Sequence, residues 1–290
     1  MIVFITSIKH PKKSKSYKRV WYLLNNTLSS VCNQINQNFR IIVVHNKILP
    51  LKHNANKISR FTDFIEVDFP PTNQDMTGLK IDRGSKYAIG LVAAKKYNPD
   101  YIMFFDADDY IGNNISKYAN ENLNHNGWII SKGYYLLGNR IRERRGFNGI
   151  CGTSNIYNYK LISSKISKKI TLKSTQEEIL KSTNETYLKK ILGSHVYAKR
   201  YFENKGKPLG EFLDFCAIRV MTTGENHSDH VNADLKVIKT IPHKKKWHSI
   251  TRAERKYFGI RIQALLSNII NSKFNNIKSR TNKLLLMLNS

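Results

Sequence analysis

Acid is scarce in this sequence. Its 290 residues carry 21 Asp and Glu against 48 Lys and Arg, a formal net charge of +27 with His neutral. That excludes the near-neutral surface of an ordinary soluble domain. Residues 1–60 hold no acid and eleven Lys or Arg, and residues 231–290 hold thirteen against Asp234 and Glu254. The positive field therefore sits at the two ends, and it suits nucleic acid, an anionic membrane surface or a phosphorylated substrate. Cysteine is equally sparse. Cys32, Cys151 and Cys216 lie far apart and form no CxxC pair, which excludes a disulfide framework or zinc cage and fits a reducing cytoplasm. Long apolar runs are missing too: Leu284–Leu288 is far short of a membrane span. No basic segment precedes the apolar run at Met1–Phe4, so no signal peptide is expected. No internal repeat is visible.

Apolar residues make up 41% of the chain, enough for a full core. Ile2-Val3-Phe4-Ile5 and Ile41-Ile42-Val43-Val44 read as buried strands, and Phe64–Val67 and Tyr101–Phe105 as a third and a fourth strand. Val20, Leu23, Leu24, Thr27, Leu28 and Val31 repeat at helical spacing, and Asp82–Tyr97 reads as a second helix. Strands alternating with helices predict an α/β fold with a doubly wound, mostly parallel sheet. Ligands bind such sheets beyond the carboxyl ends of the strands. Thr6-Ser7, His45-Asn46 and Asp106–Asp109 should therefore gather at one edge. Residues 160–190 are rich in Lys, Ser and Thr and read as a surface helix or a mobile connection. From Ile250 onward Phe258, Ile262, Leu265, Leu266, Ile269 and Ile270 follow helical spacing among Arg and Lys, the pattern of a basic amphipathic helical tail.

Asp106-Ala107-Asp108-Asp109 carries the chemistry. Three carboxylates in four residues repel one another beside an apolar strand, and a divalent cation relieves that repulsion. Mg²⁺ or Mn²⁺ prefers oxygen ligands and bridges carboxylate to diphosphate. The bland reading is a capped turn. A bare Asp-x-Asp recurs by chance in a chain this long, and the upstream apolar strand is what raises it. In Asp82-Arg83-Gly84-Ser85-Lys86 the cations and free backbone N–H groups of a helix start suit a diphosphate, with a plain charged first turn as the alternative. His227 and His195 are each either a ligand or base, or a loop or structural His. Trp128 reads as core rather than a sugar platform.

In order and content these pieces resemble the GT-A glycosyltransferases, specifically bacterial family 2 enzymes of surface-polysaccharide (capsule or lipopolysaccharide) synthesis. The matching segments are IVFITSIKHP, LLNNTLSSVCNQ, FRIIVVHN, DRGSKYAIGLVAA, YIMFFDADDYI, GWIISKGYY, CGTSNIY, GSHVYAKRYF and GENHS, which together cover residues 1–230. The resemblance implies a GT-A catalytic domain over 1–249, with a nucleotide-binding half (1–110) and an acceptor-binding half (111–249). The tail, 250–290, lies outside it. It also implies an inverting, metal-dependent hexosyltransferase that takes a nucleotide-sugar, a UDP-sugar, to a hydroxyl of a glycan or lipid-linked glycan. Thr6, Ser7 and Asn46 would hold the base, Asp82 and Lys86 would border the uracil or ribose and the phosphates, and Asp106 with Ala107 would meet the ribose. Asp106, Asp108 and His227 would hold Mn²⁺ or Mg²⁺. Family members carry an acidic catalytic base late in the chain. This sequence offers His195, Glu211 and Asp214 there, and His195 and Asp214 are the candidates. The basic tail adds an expected anionic membrane surface as partner, on the inner face of the plasma membrane, with packing on the catalytic domain or dimerisation as the alternative. The charge alone would also suit a nucleic-acid-binding protein, but no zinc finger, RRM signature or basic zipper is present and no specific nucleic acid is expected. A sugar nucleotidyltransferase would need a Gly-rich phosphate loop near the N-terminus, and none is seen.

Overall fold

The computed structural model describes residues 1–290 apart from Gln74, Thr222, 226–246 and 271–290. Its larger sheet is built where the apolar runs predict. Strands β1 (Ile2–Ser7), β2 (Phe39–His45), β3 (Thr62–Glu66) and β4 (Tyr101–Phe104) run parallel in the order β3-β2-β1-β4. Ile2 to Ile5, Ile41 to Val44 and Tyr101 to Phe104 are all buried. A parallel strand covered on both faces needs such unbroken runs. Beyond β4 the direction reverses. The sheet continues through β9 (Asn155–Asn158), antiparallel to β4, then β6 (Gly127–Ile130) and β10 (Gly210–Phe212).

Helix α1 (Tyr17–Val31) opens on Ser16, whose hydroxyl accepts from the Arg19 N–H. Helix α3 runs Met76–Ala94, after the short α2 (Ala55–Phe61). It begins six residues before the expected start at Asp82, because Asp75 caps it by accepting from the Gly78 N–H at 2.6 Å. Asp82–Lys86 therefore lies mid-helix, with its N–H groups inside the helix ladder rather than free. Gly90 lets α3 lie directly on β1: a Cβ there would stand 2.5 Å from Ile5.

A second sheet has the order β12-β8-β7-β11-β5, comprising β5 (Tyr110–Ile111), β7 (Lys132–Leu137), β8 (Arg140–Arg145), β11 (Ala217–Val220) and β12 (His248–Ser249). Between the sheets' strands lie α4 (Ile115–Glu121), α5 (Tyr159–Ser163), α6 (Gln176–Ser182), α7 (Glu185–Tyr187) with a π turn over Leu188–Leu192, and α8 (Ala198–Asn204). The Lys-, Ser- and Thr-rich stretch 160–190 is thus no loose connection. Ile170, Ile179 and Tyr187 enter the core beside α3. Trp128 is core, against Tyr101 and Tyr118.

The start of the tail packs on the second sheet. After α9 (Arg252–Tyr257), Phe258, Ile260 and Leu265 share a core with Tyr110, Leu136 and Ile218. Residues 262–270 are helical. Ile262, Leu266 and Ile270 remain 56%, 53% and 55% exposed, while Ala264 and Leu265 face inward. Among the described residues no helix is long and apolar enough to cross a membrane.

Candidate active site

Because β1 and β4 are neighbours, Ser7 and Asp106 leave the sheet side by side. They open onto a cavity of about 400 Å³, within the range of small-molecule sites. Asp106, Ala107, Asp108 and Asp109 line it. One face of α3 forms a second wall: Met76, Leu79, Lys80 and Arg83, at i, i+3, i+4 and i+7. The turn Gly193-Ser194-His195 and Arg219 of β11 close it.

The carboxylates differ in circumstance. Asp106 pairs with the Arg83 guanidinium at 3.2 Å and accepts from the Gly152 N–H at 3.1 Å. Burial alone would raise its pKa, but Arg83, His195, Arg219 and the Gly152 N–H outweigh that and hold it below the ordinary carboxylate value. Asp106 in turn raises the Arg83 pKa. Gly152 is obligatory for this contact, since a Cβ there would stand 2.5 Å from the Asp106 carboxylate. Asp108 accepts from the Thr223 hydroxyl at 3.2 Å. Asp109 is buried, accepts from Thr153 at 2.6 Å and from Cys151, and is pushed up to about 7 by burial and then by Asp106.

The donor atoms of Asp106, Asp109 and Cys151 lie within 4.8 Å of one another, close enough for a metal group. The chemistry of that trio is mixed. Burial keeps the Cys151 thiol protonated, and a soft sulfur is a poor ligand for a hard cation. Among the described residues Asp108 is not part of that close group, though it lines the cavity with Asp106, and carboxylate oxygens are the ligand type that Mg²⁺ or Mn²⁺ prefers.

The remaining expected site residues divide. Ser7 and Ala107 line the cavity. The Thr6 hydroxyl is fully buried and donates to the Phe105 carbonyl at 2.8 Å, so it ties β1 to β4 instead of facing a ligand. Asn46 donates to the carbonyls of Val67 and Phe69, away from the cavity wall. Asp82 and Lys86 form a buried ion pair at 2.9 Å, and Lys86 also donates to the Ile8 carbonyl at 2.6 Å. They brace the loop after β1 and do not line the cavity, because they lie on a different face of α3 from Lys80 and Arg83. Asp214 is exposed, accepts from Asn114 at 2.9 Å and lies off the cavity. Glu211, bonded to Ser131, is likewise outside it. His195 does line it. Its ring nitrogens are buried, with a backbone contact at Gly149 and no side-chain partner, and burial lowers its pKa to about 4. His227 lies outside the described residues.

Four charged wall residues were not singled out by sequence: Lys9, Lys80, Arg219 and Glu225. Glu225 is a clasp. It pairs with Lys9 at 2.6 Å and accepts from the N–H groups of Ser16 and Lys15 at the start of α1. Only its place in the GENHS segment hinted at it. The cavity thus sets four cations, Lys9, Lys80, Arg83 and Arg219, around the Asp cluster.

No family model matches the chain, and no curated protein matches it. Among solved structures, S. aureus TarS (residues 1–349) in complex with UDP is similar at 12% identity, over 94% of this chain and 71% of that one, with a TM-score of 0.44. The apo form of the glycosyltransferase GlyE of Streptococcus pneumoniae is similar at 11% identity, over 94% of this chain and 63% of that one, with a TM-score of 0.39. Identities this low leave the functional reading to the side-chain geometry.

Proposed function

We propose that this chain is an inverting glycosyltransferase that moves a sugar from a nucleotide-sugar, a UDP-sugar, to a hydroxyl of a surface glycan. The observation that carries this is the cavity beyond β1 and β4, where Asp106 and Asp108 share a wall with Arg83, Lys80 and Arg219. Carboxylates plus cations around one pocket suit a diphosphate that arrives with a divalent metal. Asp106 and Asp108 would hold Mn²⁺ or Mg²⁺. That ion supplies Lewis-acid stabilisation of the leaving diphosphate when bound. Arg83 orients Asp106 and offers its remaining N–H groups to phosphate oxygens. His195 accepts the proton of the acceptor hydroxyl as that oxygen attacks the anomeric carbon.

A His held near 4 is neutral at physiological pH and free to accept a proton. His195→Asn is expected to lower kcat by about 10²–10⁴-fold with UDP affinity unchanged. The wild-type rate should fall on the acid side only as the pH approaches 4, because the active form is the neutral ring. Steady-state kinetics across pH check both. A His195→Asn enzyme with wild-type kcat would remove the base from this residue.

The same reading docks the protein on anionic lipid at the inner face of the plasma membrane. Ile262, Leu266 and Ile270 form an exposed stripe at i, i+4 and i+8 in a chain of charge +27. Burying each such side chain contributes about 1.5–3 kcal/mol, and nearby Lys and Arg about 1 kcal/mol each. Ile262→Asp with Leu266→Asp should cut flotation with phosphatidylglycerol vesicles at least tenfold, an order-of-magnitude expectation from those terms. Equal flotation of variant and wild type would sink the docking role.

A further inference from the structure

Residues 1–60 contain no acid, so any carboxylate that pairs with the Lys-rich loop after β1 must come from further along the chain. Glu225 is that carboxylate. It is buried, and three donors converge on its side chain: the Lys9 ammonium at 2.6 Å, the Ser16 N–H at 2.6 Å and the Lys15 N–H at 3.2 Å. Lys9 also donates to the Glu225 main-chain carbonyl at 2.7 Å. The two N–H groups stand at the entry to α1, where no helical carbonyl is available to accept from them. Charge-assisted bonds to every side of a buried carboxylate hold it in one place.

What Glu225 holds is the turn that reaches Asp108. Gly224 has φ +81°, a conformation that L side chains rarely adopt. It reverses the chain so that the Glu225 N–H donates to the Thr223 hydroxyl at 3.3 Å. A hydroxyl has one proton to give, and that of Thr223 points to the Asp108 carboxylate at 3.2 Å. Bonds therefore run without a gap from the entry of α1, through Glu225 and Thr223, to Asp108. Thr223 and Glu225 are both buried, and Glu225, Lys9 and Asp108 share the cavity wall.

We propose that Glu225 is a positioning residue for Asp108: it locks the Thr223 hydroxyl onto that carboxylate and so sets where Asp108 presents its oxygens to the cavity. This rests on the reading of Asp108 as a ligand of the metal and diphosphate. The Glu225 carboxylate is spent on Lys9 and α1, so it acts through Thr223 and not as a ligand. Removing its charge has two consequences of opposite sign. Asp108 loses its fixed orientation, which weakens metal binding. The Lys9 ammonium is freed at the cavity wall, which favours an anionic nucleotide in the absence of metal.

The test is Mn²⁺ binding to the full chain, read from the free Mn²⁺ signal in electron paramagnetic resonance, beside UDP titration with and without Mn²⁺. Glu225→Gln keeps the shape but turns a donor towards Lys9 or α1. It should weaken Mn²⁺ binding about 10–100-fold and leave metal-free UDP binding unweakened. Thr223→Val spares the clasp and removes only its link to Asp108, and it gives the same loss of Mn²⁺ binding should Glu225→Gln misfold. Either change combined with Asp108→Asn should cost no more Mn²⁺ affinity than Asp108→Asn alone, since all three act on one ligand. Thr175→Ala, which removes the cap of α6, controls for lost stability and should change Mn²⁺ binding less than about twofold. Unchanged Mn²⁺ binding in Glu225→Gln and Thr223→Val would overturn the positioning role. So would losses that add in full to that of Asp108→Asn, or equal weakening of UDP binding with and without metal. If the wild type binds Mn²⁺ with this dependence on Glu225 but takes up no nucleotide, the glycosyltransferase reading fails while the positioning stands. A wild type that binds no Mn²⁺, with or without UDP, would overturn both.

Discussion

Replacing Asp108 by Ala is expected to abolish sugar transfer while leaving the protein folded. Asp108 stands on the cavity wall and accepts a bond from Thr223. The substitution removes one oxygen ligand from the place where diphosphate and metal would meet, and about 4 kcal/mol of transition-state stabilisation, roughly a thousandfold in kcat/KM. The fold should not suffer, because one of three crowded carboxylates is gone and their mutual repulsion falls. Release of UDP from a panel of UDP-sugars, read beside a thermal melt, checks both halves. A folded Asp108→Ala protein with near-normal turnover would remove Asp108 from the site.

Arg83→Gln is the second large effect, and it acts through Asp106. The guanidinium is the leading opposing influence that keeps the half-buried Asp106 charged. Without it, burial should raise the Asp106 pKa above the ordinary carboxylate value. A charge-assisted bond of this kind contributes about 1.5–3 kcal/mol, so nucleotide affinity should fall roughly 10–100-fold. The pH dependence changes sign. In the wild type the depressed Asp106 value stabilises the fold above the unfolded pKa, and that contribution is lost as pH falls through the folded value. In Arg83→Gln the raised value would make this group destabilising as pH rises towards neutrality. Urea unfolding at several pH values separates the two. Parallel pH profiles for variant and wild type would contradict the coupling.

The parts of the site that were legible in the sequence are those that local pattern encodes. Unbroken apolar runs become parallel strands because both faces must be covered, and the polar residue where β4 stops is Asp106. Arg83 was visible only as one member of a charged pentad. Its role stayed hidden because the first turns of α3, Met76-Thr77-Gly78-Leu79-Lys80, carry a Gly and little apolar periodicity. The helix therefore seemed to begin at Asp82. With the cap at Asp75, one helical face carries Arg83 into the cavity while Lys86 goes into the interior. Glu225 and Lys9 meet across more than two hundred residues, a contact that no local pattern announces. In residues 160–190 the polar composition matches a largely exposed surface with short helices, while Ile162, Ile170, Ile179, Tyr187 and Leu188 anchor the stretch to the core.

The central claim is tested most directly by calorimetric titration of UDP into the purified protein with and without Mn²⁺, alongside Asp108→Asn. The account predicts saturable binding that Mn²⁺ strengthens and the substitution weakens at least tenfold, about 1.4 kcal/mol. Binding of neither UDP nor another nucleoside diphosphate, with or without the metal, would contradict it.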